Sequence, residues 1–111
     1  MNIVYEKIYN GKVPNWLIIG MNRALLDMIY PEIAVILVQF QQQTKNVQII
    51  TYLSRKVIDE DFINLNLIAL RLKELMENYF NLIEIECKQI HKDQVINNLS
   101  SCAVFWRSEW Y

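Results

Sequence analysis

The sequence predicts an α+β fold in which two helices pack on one face of a four-stranded, mainly antiparallel sheet. Hydrophobic periodicity along the chain follows the order helix, strand, strand, helix, strand, strand. Both predicted helices carry an apolar stripe and each predicted strand has an apolar face, so two layers are enough to bury them. Because the chain has 111 residues, 53% of them hydrophobic, we predict a single domain over residues 1–111.

The first predicted helix runs from Trp16 to Tyr30. Residues 1–12 precede it and are predicted to be a flexible or strand-like arm, and Pro14 suits the first turn of a helix because a proline there loses no hydrogen bond. Pro31 ends the helix, since proline disfavours helical geometry in the residue before it. The apolar residues of this helix recur at steps of three and four: Leu17, Met21, Ala24, Leu25 and Met28.

A β-hairpin is predicted next. The run from Ile33 to Phe40 is short, β-branched and apolar on both sides, which favours a central strand. After the polar segment 41–45, residues 46–54 alternate, with Gln48, Ile50 and Tyr52 on the face opposite Val47, Ile49, Thr51 and Leu53. A loop of about four or five residues would join the two strands as a hairpin.

The second helix is predicted to open at Asp59-Glu60-Asp61, with Asp59 as the N-cap and the acidic first turn favourable to the helix dipole. Its apolar face is Phe62, Leu65, Ala69, Leu72, Met76 and Tyr79, broadened by Ile63, Leu67 and Leu70.

Two further strands complete the predicted sheet. Residues 81–89 alternate, with Ile83, Ile85 and Cys87 facing the core, and a polar connection through His91 leads to a final strand at 102–107. The other sheet face, which carries Gln48, Tyr52, Glu84 and Glu86, is then expected to meet solvent or a partner.

Composition narrows the function class. Eleven basic residues against twelve acidic ones give a formal net charge of −1, whereas nucleic-acid binders usually carry a basic excess. Cys87 and Cys102 fit neither a disulfide framework nor a zinc motif, so no metal and no cofactor is expected. The N-terminus lacks the pattern of a signal peptide, and no apolar run reaches the ~20 residues of a spanning helix. We therefore expect a cytoplasmic protein.

Catalytic constellations are absent from the sequence pattern. His91, the only histidine, has no nucleophile signature around it, and Gly11 and Gly20 cannot build a phosphate-binding loop. Glu84 and Glu86 share a strand face, but nothing indicates the pocket that acid–base chemistry requires. We therefore predict that the chain is not an enzyme.

The same acidic residues are candidates for protein binding. Asp59, Glu60 and Asp61 form one predicted acidic patch, and Glu84 with Glu86 forms a second. Tyr52 and Trp106 are predicted aromatic anchors, because Tyr and Trp are enriched at interface hot spots.

A family resemblance sharpens this prediction. The first helix with Tyr30-Pro31-Glu32-Ile33, the hairpin, Asp59-Glu60-Asp61, Ile85-Glu86-Cys87 and the terminal aromatic strand together resemble small bacterial immunity proteins of contact-dependent growth inhibition and related polymorphic toxin systems. The resemblance covers roughly residues 12–109. It implies a cytosolic protein that binds a cognate toxin domain, often a nuclease, and blocks its active site or substrate approach.

The partner implied by the resemblance is the C-terminal domain of a cognate toxin, bound one to one. Contact with basic toxin residues is then expected through the carboxylates of Asp59, Glu60, Asp61, Glu84 and Glu86, with Tyr52 and Trp106 as aromatic anchors. An alternative is a self-associating regulatory or assembly domain, in which Ile50, Leu82 and the aromatic tail would be buried in a homodimer. A small nucleic-acid-binding domain is the third alternative, and the charge balance disfavours it.

Overall fold

A computed structural model of the chain describes residues 2–4, 13–91, 94–96 and 103–106, which form two helices and six strands. The predicted order of elements is confirmed, with two short strands in addition. The elements are β1 (Asn2–Val4), α1 (Asn15–Ala24), β2 (Ile33–Gln41), β3 (Asn46–Leu53), α2 (Asp59–Met76), β4 (Leu82–Gln89), β5 (Gln94–Ile96) and β6 (Ala103–Trp106).

The main sheet has the strand order β4-β3-β2-β6. β2 pairs antiparallel with β3 and with β6, whereas β3 and β4 run parallel. The parallel pair arises because α2 carries the chain back along the sheet between β3 and β4, the crossover connection that parallel neighbours need. The two-layer α+β prediction is confirmed, and the sheet is mixed rather than wholly antiparallel.

The β2–β3 hairpin has the predicted loop, residues 42–45 between the pair Gln41 and Asn46. Lys45 takes a positive φ of 58°, and its N–H donates to the Gln41 carbonyl at 2.7 Å. Asn81 binds this loop from outside: its N–H donates to Lys45 O and its side-chain amide to Thr44 O, both at 2.8 Å. The start of β4 is thereby held beside the hairpin turn.

The core lies between the helices and one face of the sheet. Alternation along each strand sends one set of side chains toward the helices and the other set away. The buried residues that form this core are Leu17, Met21, Ala24 and Leu25 from α1 and its end, Ile33, Ile36, Val38, Val47, Ile49 and Leu53 from the hairpin, and Leu65, Ile68, Ala69, Leu72 and Phe80 from α2 and the turn after it.

α1 ends at Ala24, six residues before the predicted end at Tyr30. The chain turns at Asp27, where φ is 62°, a left-handed conformation that a helix cannot continue through. Arg71 of α2 stabilises this end, since its Nη1 donates to the Leu26 carbonyl at 2.6 Å and lies 3.4 Å from the Ala24 carbonyl. A side chain 47 positions from Ala24 along the chain thus supplies a partner for carbonyls that a helix end leaves unpaired.

The two short strands form a separate parallel pair. Asn2, Ile3 and Val4 align with Gln94, Val95 and Ile96. β1 lies within the segment 1–12, and β5 lies within the segment predicted to be a polar connection. The remaining arm residues, as well as Cys102, Arg107, Trp110 and Tyr111, lie outside the described residues.

Candidate functional site

Asp61 is a buried hydrogen-bond acceptor and not the surface carboxylate that its sequence context predicts. Its side chain is fully buried, and it accepts four hydrogen bonds. The donors are the Tyr30 hydroxyl at 2.5 Å, Arg55 Nη1 at 2.8 Å, Arg55 Nη2 at 3.0 Å and the Ile58 N–H at 2.8 Å. This carboxylate therefore joins the segment before β2, the segment after β3 and the start of α2.

The donors around Asp61 keep it charged despite its burial. Burial alone would raise the pKa of Asp61, but the hydrogen bonds from Arg55, the Ile58 N–H and Tyr30 outweigh it and lower the pKa to about 2. Conversely, burial and the bond to Asp61 raise the pKa of the Tyr30 hydroxyl above its usual range. The cluster is a stable ion pair with a neutral tyrosine at neutral pH, which suits a structural role.

The start of α2 presents two of the predicted acidic residues to solvent. Asp59 and Glu60 are exposed in its first turn. The N-cap residue is Ile58 rather than Asp59, and the Asp61 carboxylate accepts its N–H from the third helical position. The prediction of Asp59 as the N-cap is thus wrong by one residue, because Asp61 is the acid that the surrounding donors hold in place.

Glu84 and Glu86 lie in a different layer from Asp59 and Glu60. Their neighbours in β4, Ile83, Ile85 and Cys87, pack against the helix-side core, so the two glutamates point away from the helices. Glu84 is exposed, and Glu86 is half-exposed with its Oε1 3.6 Å from Lys88 Nζ. The two predicted acidic patches therefore do not form one continuous surface.

The sheet face that carries these glutamates is buried at its centre, which corrects the expectation that it meets solvent. Tyr52 is 1% exposed and Ile50 is fully buried, so neither presents an open contact surface. Leu82, at the start of β4, is 53% exposed. The strand register places Trp106 opposite Val35 of β2, which in turn lies opposite Tyr52.

The outer side of α2 carries an exposed apolar surface, although its residues were expected to broaden the apolar face of the helix. Ile63, Leu67 and Leu70 are 61%, 48% and 47% exposed, whereas the buried residues of the helix are Asp61, Leu65, Ile68, Ala69 and Leu72. The helical spacing of these three leucine and isoleucine residues was a visible signal. They were misassigned because the helix is apolar on most sides, so the buried side cannot be chosen from periodicity alone.

The described part of the chain shows no assembled catalytic or metal centre. Burial, with added repulsion from Asp61 and Glu86, raises the pKa of the Cys87 thiol to about 11, the opposite of what a nucleophilic cysteine needs. His91 is exposed, and within the described ranges no group of three His, Cys, Asp or Glu side chains could hold a metal ion. No helix in those ranges has the length and apolar composition needed to cross a membrane.

Comparison with known protein families gives a family assignment. The family model described as MafI2 immunity protein matches residues 14–109 of the 111-residue chain, from the residue before α1 to beyond β6. No curated protein matches the chain.

Proposed function

The chain belongs to the MafI2 immunity protein family, and we propose that it binds a cognate toxin one to one and blocks the toxin's active site or substrate approach. The family match over residues 14–109 is the observation that carries this proposal. Membership supports toxin neutralisation, and it confirms the resemblance to immunity proteins seen in the sequence. The family is MafI2, a group close to the contact-dependent growth inhibition type expected there but not identical with it.

Inhibition by occupation of a surface, without a chemical step, agrees with the geometry described above. The Asp61 carboxylate is committed to Tyr30 and Arg55, and the Cys87 thiol is kept protonated. An inhibitor of this kind acts in proportion to its amount, so protection should follow the concentration of the chain relative to the toxin. We place this binding in the cytoplasm, with the C-terminal domain of the toxin as the partner.

A nuclease is the toxin class that we favour. A nuclease needs a basic surface to attract phosphate groups, and carboxylates in a matching arrangement compete for that surface. Asp59 and Glu60 are exposed in the helix layer, whereas Glu84 and the half-exposed Glu86 lie on the far side of the sheet, so each layer separately offers carboxylates for such contacts. Complementary charge would also speed association with the toxin.

Co-expression with a candidate toxin tests the proposal. The candidate is sought among the genes that neighbour the gene of this chain, and its C-terminal domain would be expressed in bacteria with and without the chain while growth is followed. We expect the domain to arrest growth, the chain to restore it, and the two proteins to elute as a one-to-one complex whose mass is measured by light scattering.

The same experiment separates the alternatives. Growth arrest that persists with abundant folded chain would contradict the immunity proposal. A complex that forms without restoring growth would contradict blockade of the active site. If the chain elutes alone at twice its mass of 13.3 kDa and ignores the toxin domain, self-association replaces immunity as the explanation.

A further inference from the structure

The outer side of α2 carries a continuous row of side chains at helical spacing. Glu60, Ile63, Leu67, Leu70, Glu74 and the C-cap residue Glu77 follow one another at steps of three or four, so they lie on one side of the helix and its end. All six are exposed. We call these six residues the α2 outer row. It spans about 25 Å at 1.5 Å per residue, a length comparable to one dimension of a protein interface.

The α2 outer row has an apolar centre and acidic ends. Ile63, Leu67 and Leu70 form the centre, with Glu60 on one side and Glu74 and Glu77 on the other. Asp59 adds a further exposed carboxylate at the first end.

The basic residues of α2 neutralise these acids only in part. Arg71 is turned toward the end of α1, where it donates to the carbonyls of Ala24 and Leu26. Lys73 borders the row, since it lines a shallow cleft with Leu70 and Phe80 and lies four residues before Glu77. Asp59, Glu60, Glu74 and Glu77 outnumber these two basic residues, so the surface around the apolar strip remains net negative.

This charge pattern favours a basic partner over a second copy of the chain. If a second copy of the chain packed its α2 on this row, the acidic ends would meet acidic ends in both the parallel and the antiparallel arrangement. Like charges placed together at an interface disfavour association. A partner with an apolar groove flanked by Lys or Arg side chains would instead bury the apolar strip and form ion pairs with the acidic residues at its ends.

We propose that the α2 outer row is the surface that docks on the toxin, and that it inserts Ile63, Leu67 and Leu70 into an apolar groove with a basic rim. The proposal rests on the proposed immunity function and names the surface through which it acts. It assigns the sheet face with Glu84 and Glu86 no direct contact, because that face lies in the opposite layer of the fold.

Leu67→Arg tests the apolar centre, and Ile19→Arg of α1 is its matched control. Both positions are helical and about equally exposed, at 48% and 50%, so both variants should fold and melt like the wild type. Affinity for the purified toxin domain identified by the co-expression experiment would be measured by calorimetry. We expect Leu67→Arg to weaken binding by about 30-fold or more and Ile19→Arg to leave it unchanged.

Charge reversal tests the acidic ends in a second variant, which does not depend on whether Leu67→Arg folds. Glu60→Lys combined with Glu74→Lys should slow association with the toxin domain several-fold at low salt, and the difference should shrink as salt is added. Faster association of this variant would show an acidic partner rim and overturn the proposal.

The outcomes separate this inference from the immunity function. If the Leu67→Arg variant binds the toxin domain with wild-type affinity and still restores growth, docking at α2 is wrong while the immunity function stands. Equal losses in Leu67→Arg and Ile19→Arg would also overturn it, because the effect would not be specific to α2. Failure of the wild type to bind the toxin domain would overturn the proposed function itself.

Discussion

At the scale of single residues, Asp61 does the most to hold separate parts of the chain together. Its carboxylate receives four hydrogen bonds from Tyr30, Arg55 and the Ile58 N–H. These three donors lie before β2, after β3 and at the start of α2. A buried charge with this many partners is stable as long as all of them remain, and removal of one partner is costly.

We expect Asp61→Ala to lower the free energy of unfolding by about 3 kcal/mol, because the Tyr30 hydroxyl, the Arg55 guanidinium and the Ile58 N–H all lose their acceptor. Urea denaturation followed by circular dichroism would measure the change. Asp59→Ala is the control, since Asp59 is exposed two residues away in the same first turn. Asp59→Ala should lower the free energy of unfolding by less than about 1 kcal/mol, because Asp59 stabilises the helix only through its interaction with the helix dipole. Equal losses in both variants would show that Asp61 acts only through the dipole.

The titration of Asp61 predicts how stability depends on pH. Its pKa is lowered from 3.8 to about 2 in the folded chain, so its contribution is fully present above the unfolded value and is lost as the pH falls through the folded one. The contribution corresponds to about 2 to 3 kcal/mol, at about 1.4 kcal/mol per unit of pKa. Relative to Asp61→Asn, the wild type should hold a constant advantage above about pH 5 and lose it between about pH 4 and pH 2. An advantage that does not depend on pH would contradict this assignment.

Prediction from sequence placed Asp61 at the start of a helix but did not anticipate its cluster with Tyr30 and Arg55. The triplet Asp59-Glu60-Asp61 correctly indicated the start of a helix. Which of the three acids is buried depends on Tyr30, 31 positions away, and on the path of the chain that brings Arg55 to the same point. Periodicity within α2 contains neither piece of information.

At the scale of secondary-structure elements, the contact between α1 and α2 is unusually close at Gly20. A Cβ atom added there would lie 2.8 Å from Leu72 Cδ1 and 3.1 Å from Met76 Cγ. Leu72 is fully buried, so it has little room to move away. Glycine at this position lets the two helices pack against each other with no side chain between them.

Gly20→Leu should therefore separate the helices and destabilise the chain by about 2 kcal/mol, in spite of the higher helix propensity of leucine. Thermal unfolding would measure the loss. Asn22→Leu in the exposed side of α1 is the control, and it should be neutral or slightly stabilising because it changes propensity alone. If both substitutions stabilise the chain, the contact at Gly20 is looser than described.

Sequence patterns predicted the elements with strong periodicity and missed those defined by distant contacts. β2, β3 and β4 agree with the predicted strands to within two residues. α1 is shorter than predicted, because its end depends on Arg71 from α2 and on the conformation of Asp27. β5 has only three residues, too few for an alternating pattern to stand out in a polar segment.

At the scale of the whole molecule, the two layers divide the candidate binding residues between opposite sides. Asp59, Glu60 and the rest of the outer side of α2 belong to the helix layer, whereas Glu84 and Glu86 project from the far side of the sheet. A standard interface buries about 800 Å² on each partner. A single flat contact of that size reaches one of these sides and not both.

The double variant Glu84→Ala with Glu86→Ala distinguishes the two sides. If docking occurs through α2, we expect the affinity of this variant for the toxin domain to stay within about threefold of the wild type. Removal of exposed charges at or beyond the edge of an interface changes affinity by no more than that. The measurement is the same calorimetric titration that is used for Leu67→Arg. A loss of more than about 2 kcal/mol would make these glutamates hot spots and move the binding surface to the sheet.

The layered architecture was accessible from the sequence, whereas the sheet topology and the free surfaces were not. Amphipathic helices and alternating strands require two layers in any arrangement that buries them. The parallel pairing of β3 with β4 depends on where the chain leaves α2, which no local pattern encodes. Likewise, Tyr52 belongs to an alternating strand that predicts a face but not whether the face is covered.

The separation of buried and exposed sides on α2 has a consequence for how the sequence diverges during evolution. Leu65, Ile68 and Leu72 hold the fold, while Ile63, Leu67 and Leu70 contribute little to it. Substitutions in the second set can accumulate because they do not lower the stability of the fold, so selection for stability does not remove them. If recognition resides there, a lineage can follow a changing toxin one exposed side chain at a time while its core stays the same.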